Sequence, residues 1–91
     1  MFKKENLYRI YSNCRRGMLE LDVILINFLE KEYLNLDNKL LSEFSELLNE
    51  SDNNLQNWIV KEIKYTEKKF DEIIKKIKES KYKMSKKNIK Y

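Results

Sequence analysis

The sequence contains no histidine and no proline, and only one glycine and one cysteine. Without histidine there are no Ser–His or Cys–His dyads and no histidine-bearing metal sites. A single cysteine forms neither an internal disulfide nor a four-thiolate zinc cage. A single glycine excludes the Gly-rich loops that bring backbone close to phosphate, both the dinucleotide fingerprint and the Walker loop. Small strand-rich domains need turn residues between short segments, so the scarcity of Gly and Pro argues against sandwiches and barrels. No apolar run approaches the ~18 residues of a spanning helix, and no membrane insertion is expected. The lone thiol and the absence of a signal peptide point to a reducing, cytosol-like compartment. These exclusions leave binding rather than chemistry, so no enzyme, catalytic residue or metal site is expected.

What is present suits a small helical domain. Of 91 residues, 37% are charged and 42% apolar, a balance typical of a soluble all-α fold. A chain of this length buries roughly 60–65% of its unfolded surface, so its stability margin is thin. The pattern predicts a compact five-helix bundle-like domain over residues 1–80, with a frayed basic tail over 81–91.

Leu7, Ile10, Tyr11 and Cys14 follow the i, i+3, i+4, i+7 stripe of a first helix over 4–16. Arg15 and Arg16 would sit in its last turn, complementing the dipole, with Gly17 as the stop. A second helix is expected from Gly17, at or beside its N-cap, to about Leu34, with Glu20 in its first turn. Its segment Val23-Ile24-Leu25-Ile26 is apolar all round and predicts the central element of the core. Asp37 caps a third helix over 38–49, with Leu36 and Leu41 as a hydrophobic staple. Asp52 is expected to cap a short fourth helix holding Leu55, Trp58 and Ile59. Thr66 is expected to cap a fifth, with Tyr65 and Phe70 as staple and Phe70, Ile73, Ile74 and Ile77 as its apolar face.

Charge is unevenly spread. Residues 1–60 hold 7 basic and 10 acidic groups, a net −3, and residues 61–91 hold 12 basic and 5 acidic, a net +7. The basic final third, with Tyr82, Met84 and Tyr91, raises nucleic-acid binding through charge and stacking. A solvated tail explains it as well, and the distinctive residues lie elsewhere, so no nucleic-acid partner is expected.

Those residues cluster. The chain writes its basic positions as lysine except at Arg9, Arg15 and Arg16, and Gly17 is its only glycine. Arginine in this context suggests a need for the guanidinium fork, which bonds bidentately and stacks where an ammonium does not. The plainer alternative is a helix stop followed by a helix start. It explains Gly17 and the charge signs, but not the choice of arginine, nor Asp22 beside an apolar helix.

The segment Arg15-Arg16-Gly17-Met18-Leu19-Glu20-Leu21-Asp22 resembles the signature of the small FAD-assembly factors of succinate dehydrogenase, the flavinator family. The family core Arg-Gly-x-x-Glu falls on Arg16, Gly17 and Glu20. The resemblance continues through Phe28-Leu29-Glu30-Lys31-Glu32-Tyr33, Leu47-Leu48, and Asp52 to Asn57-Trp58, covering about residues 7–60. It implies a five-helix protein that binds the flavoprotein subunit of succinate dehydrogenase and, in bacteria, that of fumarate reductase. It implies promotion of covalent FAD attachment to a histidine of that subunit, with the chemistry belonging to the flavoprotein and FAD. On this reading the chain binds no cofactor stably and is monomeric when free. Some members have been described as antitoxins or modulators of cell-shape proteins, which leaves a regulatory interaction module as the alternative. The chain departs from the family at Val60-Lys61-Glu62-Ile63-Lys64-Tyr65, where members commonly carry Gly and Pro, and at Asn53, where many carry Pro. The Arg-rich presequence of a mitochondrial member is not seen, so a bacterial cytoplasmic location is expected.

The residues expected to meet the partner are Arg9, Arg15, Arg16, Gly17, Met18, Glu20 and Asp22. Arg16 and Glu20 would form an exposed polar patch; the structural alternative is an internal pair across the corner, worth at most about 1 kcal/mol if exposed. Gly17 would admit close approach of a partner backbone and also supply a positive φ. Cys14, on the apolar stripe, is expected to be a core thiol, and Trp58 a core side chain.

Overall fold

The computed structural model describes residues 4–87, and the surroundings of side chains from Leu7 to Lys83. Among these residues there are five α-helices and no strand: α1 Lys4–Asn13, α2 Leu19–Glu32, α3 Asn38–Leu47, α4 Asp52–Leu55 and α5 Asp71–Lys87. A 3₁₀ turn, Tyr33–Asn35, follows α2, and α4 widens into a π-type turn over Gln56–Val60. The all-α class and the five expected elements are all found, and the differences lie at their ends.

The apolar stripes read from the sequence are the ones buried. Ile10 and Cys14 of the α1 stripe are buried, and Leu7 and Tyr11 pack partly against them. Leu40, Leu41, Phe44, Leu47 and Leu48 are all buried, as are Phe70, Ile73, Ile74 and Ile77. Phe28 of α2 meets Phe44 of α3 with ring centroids 5.3 Å apart and a tilted arrangement, favoured by the ring quadrupoles. α2 also packs on α5 and on the π-type turn, so it is the central element expected. It is not buried all round, however. Leu21, Ile24, Leu25, Phe28 and Leu29 form its inner face, while Val23 points outward and Ile26 is half-buried. A central helix in so small a domain still keeps one side to solvent.

α1 stops at Asn13, short of the expected end at residue 16. The amides of Cys14 and Arg15 bond back to Tyr11 O and Ser12 O at 3.1 Å each, a 3₁₀-like tightening that closes the helix. Arg15 and Arg16 therefore lie beyond its last turn. The N-cap position of α2 is Met18, with Gly17 beside it, one of the two placements expected, and the helix begins at Leu19.

The cap of α3 is the expected one, with Asp37 Oδ1 accepting from Leu40 N at 2.8 Å. Before α4 the cap is Ser51, whose Oγ accepts from Asn54 N at 3.1 Å. Asp52, expected as that cap, is instead the first helical residue. Before α5 the expected cap Thr66 lies outside any regular element, and the helix begins only at Asp71. Tyr65 replaces it from a distance: its buried hydroxyl oxygen accepts from Phe70 N at 3.0 Å. Trp58 is partly buried, meeting Tyr65 edge-on at 4.8 Å.

α5 continues to Lys87, past Lys81 where the apolar pattern fades. The reason is specific. Lys81 Nζ donates to Ile59 O at 3.0 Å, Val60 O at 3.2 Å and Glu62 Oε2 at 3.1 Å, satisfying carbonyls at the end of the π-type turn. Tyr82 adds a hydroxyl bond to Glu62 Oε1 at 3.1 Å. Glu62 itself turns the connection with φ +56°, the left-handed conformation usually given to glycine. Residues 88–91, the end of the expected tail, lie outside the described residues, as does the side chain of Met84.

Candidate functional site at the corner of α1 and α2

Between α1 and α2 the backbone turns through Arg15, Arg16 and Gly17, the last with φ +82°. Two amides that have no helical partner point inward here. Both are taken by one carboxylate: Arg16 N donates to Asp22 Oδ1 at 2.8 Å and Gly17 N to Asp22 Oδ2 at 3.0 Å. Asp22 N in turn donates to Met18 O at 2.8 Å. Asp22 thus holds the corner from the first turn of α2, where a negative charge is also favoured by the helix dipole. This accounts for the acidic residue beside an apolar helix.

The Arg16 side chain turns inward as well. Its Nε bonds Asp52 Oδ1 at 2.7 Å, Nη1 bonds Asn13 O at 2.8 Å and Leu48 O at 2.7 Å, and Nη2 bonds Glu50 O at 2.9 Å. One guanidinium therefore joins the end of α1, the end of α3 and the start of α4. The carbonyls of Leu48 and Glu50 lie past the last turn of α3, where acceptors lack helical donors and the dipole favours a cation. The side chain is 15% exposed, and its carboxylate partner is Asp52, not Glu20. The planar fork explains arginine here: an ammonium cannot serve four acceptors spread around one plane.

The remaining candidates stand outside. Arg9, Arg15, Gly17 and Glu20 are exposed, and Met18 is half-buried against the core. Among the described residues Arg9, Arg15 and Glu20 have no ion-pair partner. A β-carbon built on Gly17 would meet nothing within 4 Å, so the space beside its backbone is open. Apolar groups flank these charges. Leu19 is 82% exposed and Tyr8 74%, with Val23 one turn from Leu19 on the same face of α2. Leu19 falls off the helix stripe that Leu21, Ile24, Leu25 and Phe28 define, a signal that was open to sequence reading. Asp52 stands in the sequence as a cap candidate and as part of the family resemblance, but its long-range bond to Arg16 leaves no local trace.

Cys14 lies directly beneath the corner, fully buried. Burial pushes its thiol from the ordinary 9.0 up to about 12, against a smaller lowering from the Arg16 charge. It is a core thiol, as expected, and offers no thiolate at neutral pH. Among the described residues no group of three or more Cys, Asp and Glu side chains is placed to hold a metal ion. An open groove of about 960 Å³ runs between α3 and α5, away from this corner. Its lysines are interleaved with Glu43, Asp71, Glu72 and Glu79, so its lining is of mixed sign.

The corner, its internal latch and its exposed rim lie within a segment that matches a known family. The family described as "Flavinator of succinate dehydrogenase" matches residues 8–81. The chain is 40% identical over 83 residues to a protein named FAD assembly factor SdhE from Wigglesworthia glossinidia brevipalpis, covering 91% of this chain and 99% of that one. It is 36% identical over 69 residues to the FAD assembly factor SdhE of Coxiella burnetii, covering 76% and 84%. With the Pseudomonas aeruginosa FAD assembly factor SdhE the identity is 38% over 60 residues, covering 66% and 71%. No solved structure matches the chain. The protein belongs to the succinate dehydrogenase flavinator family.

Proposed function

We propose that this chain is an assembly factor that docks the α1–α2 corner on the flavoprotein subunit of succinate dehydrogenase and promotes covalent attachment of FAD to that subunit. The observation that carries the reading is the coincidence of the family match over residues 8–81 with an exposed rim on a held corner. Arg9, Arg15, Glu20 and the open side of Gly17 make the contacts, with Leu19 and Tyr8 supplying apolar area around them. Met18, Arg16 and Asp22 support the rim from inside.

The factor acts by holding its client and not by catalysis. Its residues include no histidine to serve as base, and its single thiol is buried and protonated. The flavin is therefore bound and attached by the flavoprotein, with the factor selecting a conformation in which flavin and target residue meet correctly. The same surface would serve the flavoprotein of fumarate reductase. The free chain is a monomer, in the bacterial cytoplasm. No helix among the described residues is long and apolar enough to cross a membrane. The regulatory alternative raised by the sequence finds no support in the family description or in the relatives named above.

Deleting the gene tests the reading. Covalent flavin on the succinate dehydrogenase flavoprotein, seen as in-gel fluorescence, should fall at normal FAD supply and return with the wild-type gene. A Glu20→Ala variant should keep its helical circular dichroism but fail to restore the signal. Undiminished flavin in the deletion strain overturns the assignment, and a fully active Glu20→Ala overturns the surface named here.

A further inference from the structure

The Arg-Gly-x-x-Glu signature invites treating Arg16 as a contact, yet its guanidinium is already engaged. An arginine has five N–H donors, and four bonds to Asp52, Asn13, Leu48 and Glu50 leave one hydrogen unassigned. A partner that claimed more would have to break bonds between three helix ends. We propose that Arg16 and Asp52 are a positioning pair for the docking surface, and that they act on the client through the placement of Glu20. The inference rests on the docking reading above.

The geometry supports a direct mechanical link. Arg16 is joined to α4 by its side chain and to α2 by its backbone amide, through Asp22. Glu20 stands in the turn of α2 that carries Asp22. Releasing the Asp52 end removes the guanidinium's one ionic partner and leaves it on three carbonyl bonds, which loosens the Arg16 backbone and with it the Asp22 clasp. The exposed carboxylate of Glu20 would then sample more orientations before each encounter, and binding would have to restore one of them. Truncating Asp52, itself 48% exposed, leaves the 15%-exposed Arg16 charge without its carboxylate, so the folding of each variant is checked before its binding is read.

The test is a double-mutant cycle on binding. The full-length chain is titrated onto the purified succinate dehydrogenase flavoprotein subunit lacking covalent FAD. The variants are Asp52→Ala, Glu20→Gln and both together, at a temperature where circular dichroism shows each fully folded. Asp52→Ala should weaken binding about tenfold, and the double variant should be within about twofold of Glu20→Gln alone, because misplacing an absent carboxylate costs nothing. Amide exchange at Gly17 and Asp22 should quicken in Asp52→Ala. Arg16→Lys, which keeps the charge and loses the fork, should behave as Asp52→Ala does.

A role in stability alone predicts a lower melting temperature with unchanged affinity per folded molecule, and that result overturns the proposal. So does full additivity of Asp52→Ala with Glu20→Gln, which would make Asp52 a contact in its own right. If the wild-type chain does not bind the flavoprotein, the docking reading fails and this proposal with it. If Glu20→Gln weakens binding and Asp52→Ala does not, the positioning pair alone is wrong.

Discussion

Gly17 offers the cleanest separation of fold from docking. Its φ of +82° lies in the left-handed region, yet a β-carbon there would meet nothing within 4 Å. Any loss on substitution to alanine therefore comes from backbone strain and not from a clash. Left-handed φ costs an L-residue about 1–2 kcal/mol. Alanine recovers about 0.4–1 kcal/mol by restricting the unfolded chain. The net, about 1 kcal/mol, lowers the melting temperature of a domain this size by about 4–8 °C. Asparagine tolerates the left-handed region, so Gly17→Asn should melt closer to wild type than Gly17→Ala. D-Alanine, placed at the position by chemical ligation, should melt at or above wild type, since positive φ is its own preferred region. Thermal circular dichroism at neutral pH reads all three. Equal losses for the alanine and asparagine variants would refute strain as the reason for glycine. Flavoprotein binding by the same proteins then isolates the surface. If a partner backbone fills the open space beside Gly17, the asparagine variant, whose β-carbon enters that space, folds well and binds poorly.

Three further outcomes follow from the buried thiol and from the bonds around Glu62. Because burial raises Cys14 from 9.0 to about 12, the folded chain keeps a proton that the unfolded chain loses; this contribution is whole below pH 9.0 and is lost as pH rises toward about 12. Urea unfolding should show the advantage of wild type over Cys14→Ala shrinking across that window, and a constant difference would contradict it. Glu62 is held below its ordinary 4.5 by the Lys81 bond first and the Tyr82 bond second, so its contribution is present above 4.5 and disappears as pH falls through the lowered value. Glu62→Gln should therefore lower the melting temperature at neutral pH and converge with wild type in acid; a gap that persists in acid rules out the carboxylate as the cause. Lys81→Met keeps the apolar stem but leaves the Ile59 and Val60 carbonyls without this donor, which should cost about 1–3 kcal/mol in chemical unfolding.

The buried faces of this fold were legible because they are set by local periodicity. Leu40, Leu41, Phe44, Leu47 and Leu48 needed only their own spacing to be placed inside, and so did Phe70, Ile73, Ile74 and Ile77. The ends were harder wherever a bond from elsewhere outcompeted the local cap. Thr66 has the chemistry of an N-cap, but the Tyr65 hydroxyl reaches Phe70 N and the helix waits until Asp71. Ser51 takes the cap of α4, which frees the neighbouring Asp52 carboxylate to meet Arg16. At the site, the choice of arginine signalled a need for the guanidinium fork, expected as bidentate bonding or stacking; Arg16 instead spreads its fork over one carboxylate oxygen and three backbone carbonyls. Its acceptors could not be named, since they lie up to 36 residues away in a different part of the chain. The left-handed turn at Glu62 was illegible for the opposite reason. A residue with no preference for that conformation is kept there by Lys81 and Tyr82 on another helix.

The three arginines now divide into two kinds, and the division bears on how a chain without reactive groups can direct chemistry in another protein. Arg16 is internal: its bonds fix the relative positions of α1, α3 and α4, and its amide fixes α2. Arg9 and Arg15 are external and have no ion-pair partner among the described residues. A flexible corner bearing Arg15 and Glu20 would lose both backbone and side-chain freedom on docking. A corner whose amides are clasped by Asp22 has already lost its backbone freedom on folding, so only side-chain ordering, about 0.5–1.5 kcal/mol for each long side chain, remains to be met at the encounter. More of the interaction energy is then left to bias the client's own conformation. A docking factor that works by selecting one arrangement of its client must itself have one arrangement to offer, and in this fold the Arg16 guanidinium and the Asp22 carboxylate supply it.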